Sequence, residues 1–483
     1  MRDSAAATPP IVSVPFYYVA FGTMAVLIGL TFLYVIAPFA GWISAPPPSF
    51  GVLMAISMAF ATHTLLRPPM GLLYAPLFMI LATALVPQTF PQAGQSAPPE
   101  YFIWATGLFC IAAALSLRLP WAGMLRNGRE RTAPLSLVVF LGICGAASVQ
   151  GLRLGIDVSF VVRQLYGAAL LIIFFFAAVS LPEVEMEIAK YFRVLKWFGM
   201  AASIFTIVLY VENPNAPGNV DSFKWGLSIY CAMLAVYCMA EAATARGWLT
   251  RVGLAVQALI LVAQPFASAA RAATGIAGVT GILAIAMLIK SKKMKALILA
   301  ACLSAIFAII FIDMAGPLID MLPYNERLSA LIPESILSDP SFVGRTNQLL
   351  NAMEVVQLHP LLGGGLGSSL VYVDPSLGGV TDVAAIDQGF AYIISKFGIL
   401  GLVSFCWLVF AAFHSSGWPE RNAVHIGAFV LFLFSVLFMI SHPVMLQFIG
   451  AGFVGVIGGV LFRFGAQRGK SVTEHQDTMM SAS

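Results

Sequence analysis

The chain has 483 residues, 59% of them hydrophobic and only 10% charged, with a net charge of +4. A soluble globular chain carries about 25% charged residues, so the polar surface here is too small to coat a water-soluble body. A soluble enzyme and a basic nucleic-acid-binding surface are excluded. What remains is a polytopic membrane protein of the all-α class, since the ~10-residue alternating segments of a membrane β-barrel are missing.

The first 15 residues hold Arg2 and a proline-rich stretch. The apolar run 16–40 that follows exceeds the ~7–15 residues of a signal-peptide core and predicts an uncleaved first span. Further spans are expected at roughly 50–66, 70–86, 101–119, 133–151, 158–181, 195–211, 224–241, 252–267, 272–290, 294–314, 390–413, 423–441 and 443–464. Together they make about 14 transmembrane helices, judged against the ~17–25 residues that cross a bilayer.

With the N-terminus in the cytoplasm, the inner loops and tail collect most of the basic residues. These include Arg126, Arg129, Arg131, Lys190, Arg193, Lys196, Lys290, Lys292, Lys293, Lys295, Arg463, Arg468 and Lys470. The outer side keeps Arg153, Arg163, Lys224, Arg271, Arg327, Arg345 and Lys396. Lys and Arg bias loops to the cytoplasm, so both termini are expected inside.

One connection is long. Residues 315–389 fall on the outer face, and there Leu349, Leu350, Met353 and Val356 repeat at helical spacing. Pro360 and Gly363–Gly365 should stop this amphipathic helix. The expected organisation is an N-terminal transmembrane bundle (1–314), a large, partly helical outer loop (315–389), C-terminal transmembrane helices (390–464) and a tail (465–483). The six cysteines lie in or beside apolar runs and read as packing residues.

Four features could carry chemistry. Arg163 sits inside a span, where an arginine costs at least ~2.5–3.5 kcal/mol and faces a cavity or a partner, unless it snorkels to the headgroups. Arg271 stands alone among small residues in a tight outer turn. Arg345 lies just ahead of the loop helix, where it either grips phosphate or pairs with Glu354. The last feature joins His359–Gly367 (HPLLGGGLG) to Asp387-Gln388. The glycines, Gly365 among them, permit close backbone approach. His359 is a helix C-terminal cap or a substrate contact. Asp387 is a general base or the N-cap of a helix starting at Gln388. No metal constellation and no nucleotide-binding loop are apparent, so no cofactor is expected.

Taken in order, these motifs resemble the bacterial O-antigen ligase / O-antigen polymerase (Wzy-type) family over roughly residues 155–440. The likeness rests on Gly344-Arg345, on His359–Gly367, and on Gln388 followed by nine residues and Gly398-Ile-Leu-Gly401; Ala270-Arg271 matches a Ser-Arg turn. Where the family has a histidine, this chain has Asp387.

The resemblance implies a membrane glycosyltransferase of the bacterial inner membrane, with its active face periplasmic. It implies a donor glycan on undecaprenyl pyrophosphate and no metal. Arg163, Arg271 and Arg345 would bind the pyrophosphate. Asp387 would act as base, and His359, Gly365 and Gln388 would contact substrate. Membrane lipids, a flippase and chain-length regulators are the implied partners, and no nucleic acid is. The departure at Asp387 favours a polymerase of exopolysaccharide or O-antigen repeat units over a ligase acting on lipid A-core. A lipid-linked oligosaccharide flippase is the alternative from another class.

Overall fold

The computed structural model describes residues 132–179, 181, 184–212, 217–267, 271–288, 340–374, 379–383, 386–417, 422–446 and 450–465. All of them belong to one of two compact units, Trp121–Ser483; the other unit, Met1–Pro120, lies outside the described residues. So do the spans expected at 16–40, 50–66, 70–86, 101–119 and 294–314.

The described chain is mostly helical. Its elements are α1 (Thr132–Arg153), α2 (Val158–Val179), α3 (Val184–Glu212), α4 (Pro217–Thr244), α5 (Trp248–Ala267), α6 (Arg271–Leu288), α7 (Pro340–Leu358), β1 (Leu370–Asp374), β2 (Gly379–Val383), α8 (Gly389–Ser416), α9 (Ala423–Phe438) and α10 (Gly450–Gly465). Four stretches among the described residues are long and apolar enough to cross a membrane: Thr132–Arg153, Phe160–Val179, Trp248–Pro265 and Gly389–Ser416. Ser228–Thr244, Ala423–Phe438 and Gly450–Gly465 are shorter apolar helices. This is an integral membrane protein.

Several helices differ from the expected spans. The span expected at 195–211 is the later part of α3, which begins at Val184 with Glu185 and Glu187 in its first turn. Acids there complement the positive end of the helix dipole. Lys190, Arg193 and Lys196, expected in an inner loop, therefore lie on the helix itself. The helix predicted in the outer loop is α7, but it begins at Pro340, so Arg345 is inside it and not ahead of it. Pro340 suits the first turn, where its missing N–H costs nothing. The all-α expectation also misses a hairpin. β1 and β2 pair antiparallel, with Val371 opposite Asp382 and Val373 opposite Val380.

The core sits among α3, α4, α9 and α10. Phe192 of α3 stacks on Tyr237 of α4 with centroids 4.1 Å apart. Phe453 of α10 meets Tyr230 at 5.0 Å and Phe192 at 6.2 Å. α10 reaches α2 through glycines: a Cβ at Gly455 would meet the Leu171 carbonyl, and one at Gly459 the Phe175 carbonyl. Small residues at four-residue spacing permit this close helix packing, which in a membrane replaces the hydrophobic drive for association. On the other side α8 packs on α1, with Phe140 touching Phe397 at 5.9 Å and Phe405 at 6.4 Å.

Candidate functional site

The glycine turn after α7 is built into a broken helix. Within α8, Gly398 has φ 62 and ψ −156, values that a residue with a Cβ rarely adopts. The break frees backbone groups that an intact helix would pair i to i+4. The turn pairs them instead. Ile399 N donates to Pro360 O at 3.0 Å and Leu400 N to Leu361 O at 3.2 Å, while Gly364 N donates to Ser395 O at 2.7 Å. Irregular backbone within a membrane helix persists only where protein satisfies it, and here the HPLLGGG stretch does so.

The approach is glycine against glycine. A Cβ at Gly398 would lie 2.6 Å from Gly363 N, and one at Gly363 would lie 2.9 Å from Gly398 N. The same turn plugs into α1. Leu366 N donates to Ala147 O at 3.0 Å, and Gly365, at φ 80, lies against the Gly151 backbone. Gly365 thus makes its close approach to a helix. His359 is held through its backbone, its N donating to Val355 O and its O accepting from Gly363 N, both at 2.9 Å. It ends α7 and starts the turn.

Around this wedge the structure gathers most of the residues expected to carry chemistry. Gln164 of α2, next to Arg163, accepts from Gly367 N through Oε1 at 2.7 Å. Gln348 of α7, one turn after Arg345, is buried and accepts from the amides of Asp387 (3.1 Å) and Gln388 (3.0 Å) through a single Oε1. Asn347 Nδ2 donates to Val373 O at 2.8 Å and ties the hairpin to α7. Arg163, Arg345, the glycines and Asp387 therefore lie on elements joined by side-chain-to-backbone hydrogen bonds. Arg271 begins α6, which packs chiefly on α4 and α9. No described contact ties it to the wedge.

Asp387 is not the helix cap. α8 starts at Gly389, one residue later than expected, and Gln388 is the N-cap, its Oε1 accepting from Ala391 N. With the capping task taken by Gln388, the half-buried Asp387 carboxyl stands at the mouth of α8 on a backbone clamped by Gln348. The pairing of Arg345 with Glu354 does not form either. No ion pair joins the two, and the Arg345 Nε is buried with no hydrogen-bond partner.

Sequence reasoning missed Gln348, Gln164 and Lys396. The glutamines gave no pattern beyond their adjacency to the arginines. Lys396, counted on the outer side within the span expected at 390–413, lies two turns inside α8, is fully buried at 0% exposure, and its amine has no hydrogen-bond partner.

No curated protein matches the chain. A family model does: Wzy_C, described as O-antigen ligase, matches residues 255–406. That range is narrower than the 155–440 expected; it includes Arg271, Arg345, the glycine turn, Asp387 and both Gly398 and Gly401, and leaves Arg163 outside. The resemblance seen in the motifs is therefore real where the wedge is built, and over residues 255–406 this chain carries an O-antigen ligase (Wzy_C) domain.

Proposed function

We propose that the protein polymerises undecaprenyl-pyrophosphate-linked oligosaccharide repeat units into exopolysaccharide or O-antigen on the periplasmic face of the inner membrane. The O-antigen ligase domain implies glycan transfer of the ligase or polymerase type from a lipid-linked donor. The observation that carries the assignment of roles is the α7–α8 clamp. Gln348 holds the backbone of Asp387 one turn from Arg345, whose Nε is buried and unpartnered. Asp387 and Arg345 thereby lie on adjoining elements held together by Gln348.

In this reading the Asp387 carboxylate takes the proton of an acceptor-sugar hydroxyl. The freed oxygen attacks the anomeric carbon of the donor. The bond from that carbon to the diphosphate oxygen breaks, and its electron pair leaves on the diphosphate. Arg163, Arg271 and Arg345 bind the diphosphate and offset the charge that builds on it. Asp387 later returns its proton to water. His359 and Gly365 shape the turn, and Gln388 lies beside the acceptor. The scheme calls on no metal and no nucleotide sugar. The full architecture that goes with it has about 14 spans, both termini cytoplasmic, and residues 315–389 as the periplasmic loop between the bundles 1–314 and 390–464.

The test is transfer by the purified protein in liposomes, with a lipid-linked repeat unit as both donor and acceptor. Longer lipid-linked chains are expected from the wild type. None are expected from Arg345→Ala, Arg271→Ala or Asp387→Asn, while Asp387→His regains part of the activity. Full activity of the Asn variant would remove Asp387 from the chemistry. Transfer only onto lipid A-core would make the protein a ligase. Movement of lipid-linked glycan across the bilayer with no new glycosidic bond would make it a carrier.

A further inference from the structure

α8 is longer than a bilayer requires, and its surplus lies at the outer end. Its 28 residues run roughly 42 Å, against a hydrocarbon core of ~30 Å. Exposure divides the helix at the Gly398 break. From Gly389 to Gly398 no residue is exposed. Beyond the break Ile399, Leu400, Val403 and Phe410 are exposed and form an apolar stripe, the kind of face a span turns to lipid tails. From Gly398 to Ser416 the helix covers roughly 27 Å, close to a full crossing. The outer edge of the hydrocarbon therefore meets α8 near the break.

The turn after α7 arrives at the same height. Gln348 of α7 accepts from the amides of Asp387 and Gln388 at the mouth of α8. Further along both segments, Pro360 O accepts from Ile399 N and Leu361 O from Leu400 N. α7 thus descends beside α8 in the same direction, and Pro360-Leu361 comes level with the first lipid-facing residues. The side chains at this tip are apolar and open. Leu358 is 77% exposed, more than any other large hydrophobic residue among the described ones, and Leu361 is 61% exposed. The exposed polar residues Glu354 and Gln357 lie roughly 5–9 Å outward of Pro360 along α7, at the depth of a headgroup layer.

Single exposed leucines are ordinary on a water-facing surface. These two are continuous with the stripe on α8, because a backbone hydrogen bond sets Leu361 beside Leu400. The backbone of the turn suits the same setting. Pro360 has no N–H, the amides of Gly363 and Gly364 are paired, and α8 uses the carbonyls of Pro360 and Leu361. Irregular backbone enters hydrocarbon only where protein satisfies it.

We infer that Leu358 and Leu361 are a lipid anchor, seated in the outer edge of the bilayer and covered there by phospholipid acyl chains. The long outer connection therefore dips into the membrane at this point. The anchor sets the height of α7 above the bilayer and, through Gln348, that of the Asp387 backbone. It requires that α8 cross the membrane and nothing of the glycan chemistry.

Photo-crosslinking of the full-length protein in liposomes of phosphatidylethanolamine and phosphatidylglycerol tests it. A benzophenone amino acid replaces Leu361 or, as a second position, Leu358, and adducts are identified by mass spectrometry after irradiation. Val403, on the stripe of α8, is the lipid-facing reference. Val380 is the outer reference, being exposed on β2 and paired with Val373, which Asn347 ties to α7. Phospholipid adducts at Leu361 are expected at about the yield of Val403 and about tenfold above Val380.

A yield at both leucines no higher than at Val380 overturns the proposal. So does an adduct to a peptide of the same chain or of a second copy, which would make the patch a protein contact. Lipid adducts that form only once undecaprenyl phosphate is added overturn it too and make the tip a polyprenyl groove. Phospholipid adducts at Leu361 in a protein unable to elongate lipid-linked repeats would keep the anchor and remove the polymerase reading.

Discussion

Two lysines among the described residues are buried in helices, and their surroundings differ. Lys196 of α3 is 7% exposed and pairs with Glu241 of α4, with the Tyr237 ring 5.8 Å from its ammonium. The aromatic stack of Phe192 and Tyr237 lies beside that pair. Here the buried charge is met by a neighbour of the same chain. Lys396 of α8 is buried more deeply and makes no hydrogen bond or ion pair, with the Tyr392 ring 6.0 Å away. In that region the close contacts are between backbones at Gly363, Gly365 and Gly398, and the Oε1 atoms of Gln348 and Gln164 accept hydrogen bonds from loop amides. The difference is one of construction: one seam is held by an ion pair and stacked rings, the other by close backbone approach through glycines.

The contrast can be broken at three places, from the largest effect to the smallest. Gly398→Val should be the most severe. The backbone there lies in a region open almost only to glycine, and a Cβ would meet the backbone of Gly363 and Leu361. A cost of about 3 kcal/mol or more is expected, read as loss of the monodisperse, folded protein in detergent. A variant that folds normally would show that the wedge is not what holds α8 in place.

Gln348→Leu is next. It leaves the amides of Asp387 and Gln388 without their acceptor, at about 1–3 kcal/mol for each buried group. Glycan transfer should fall further than stability does, because the carboxylate loses its fixed backbone, and Gln348→Glu should restore much of it. Equal retention of transfer in the Leu variant would separate the clamp from the chemistry.

Lys196→Met sharpens the other half. Breaking a buried pair by removing one partner is costly, but the Glu241 side chain is 35% exposed and water takes part of the load. About 1–3 kcal/mol is expected, measured by thermal unfolding. The KM for lipid-linked donor should not move, and Lys196→Met combined with Glu241→Leu should recover stability. A shift of KM in the single variant would mean that the two seams communicate.

Much of this was legible beforehand. The period of Leu349, Leu350, Met353 and Val356 did mark a helix, and Pro360 with the following glycines did end it. The two glycine signatures, 363–367 and 398–401, were both visible, but not that each is the other's complement, because one lies in a loop and the other inside a span. The hairpin escaped because LVYVD and GVTDV are only five residues each, too short for alternation to stand out from an apolar background. Lys396 escaped for a different reason. Charge counting assigns a basic residue to the nearest end of an apolar run, whereas burial depends on what packs against it in space. Lys196 was likewise counted with a loop, although it lies on α3. In both cases the sequence offered the charge but not its surroundings.

The break in α8 and the turn that mends it also carry a consequence for how the chain is made. Gly151, which lies against the turn, leaves the ribosome roughly 200 residues ahead of Gly365, or roughly 10–40 s at ordinary synthesis rates. During that interval the groove on α1 must stay unfilled by other helices. Pro360 and Leu361, by contrast, precede Ile399 and Leu400 in the chain. The carbonyls that will accept from the broken helix are thus present before its unpaired amides reach the membrane, so the order of the sequence spares α8 a partition into lipid with its break unprotected.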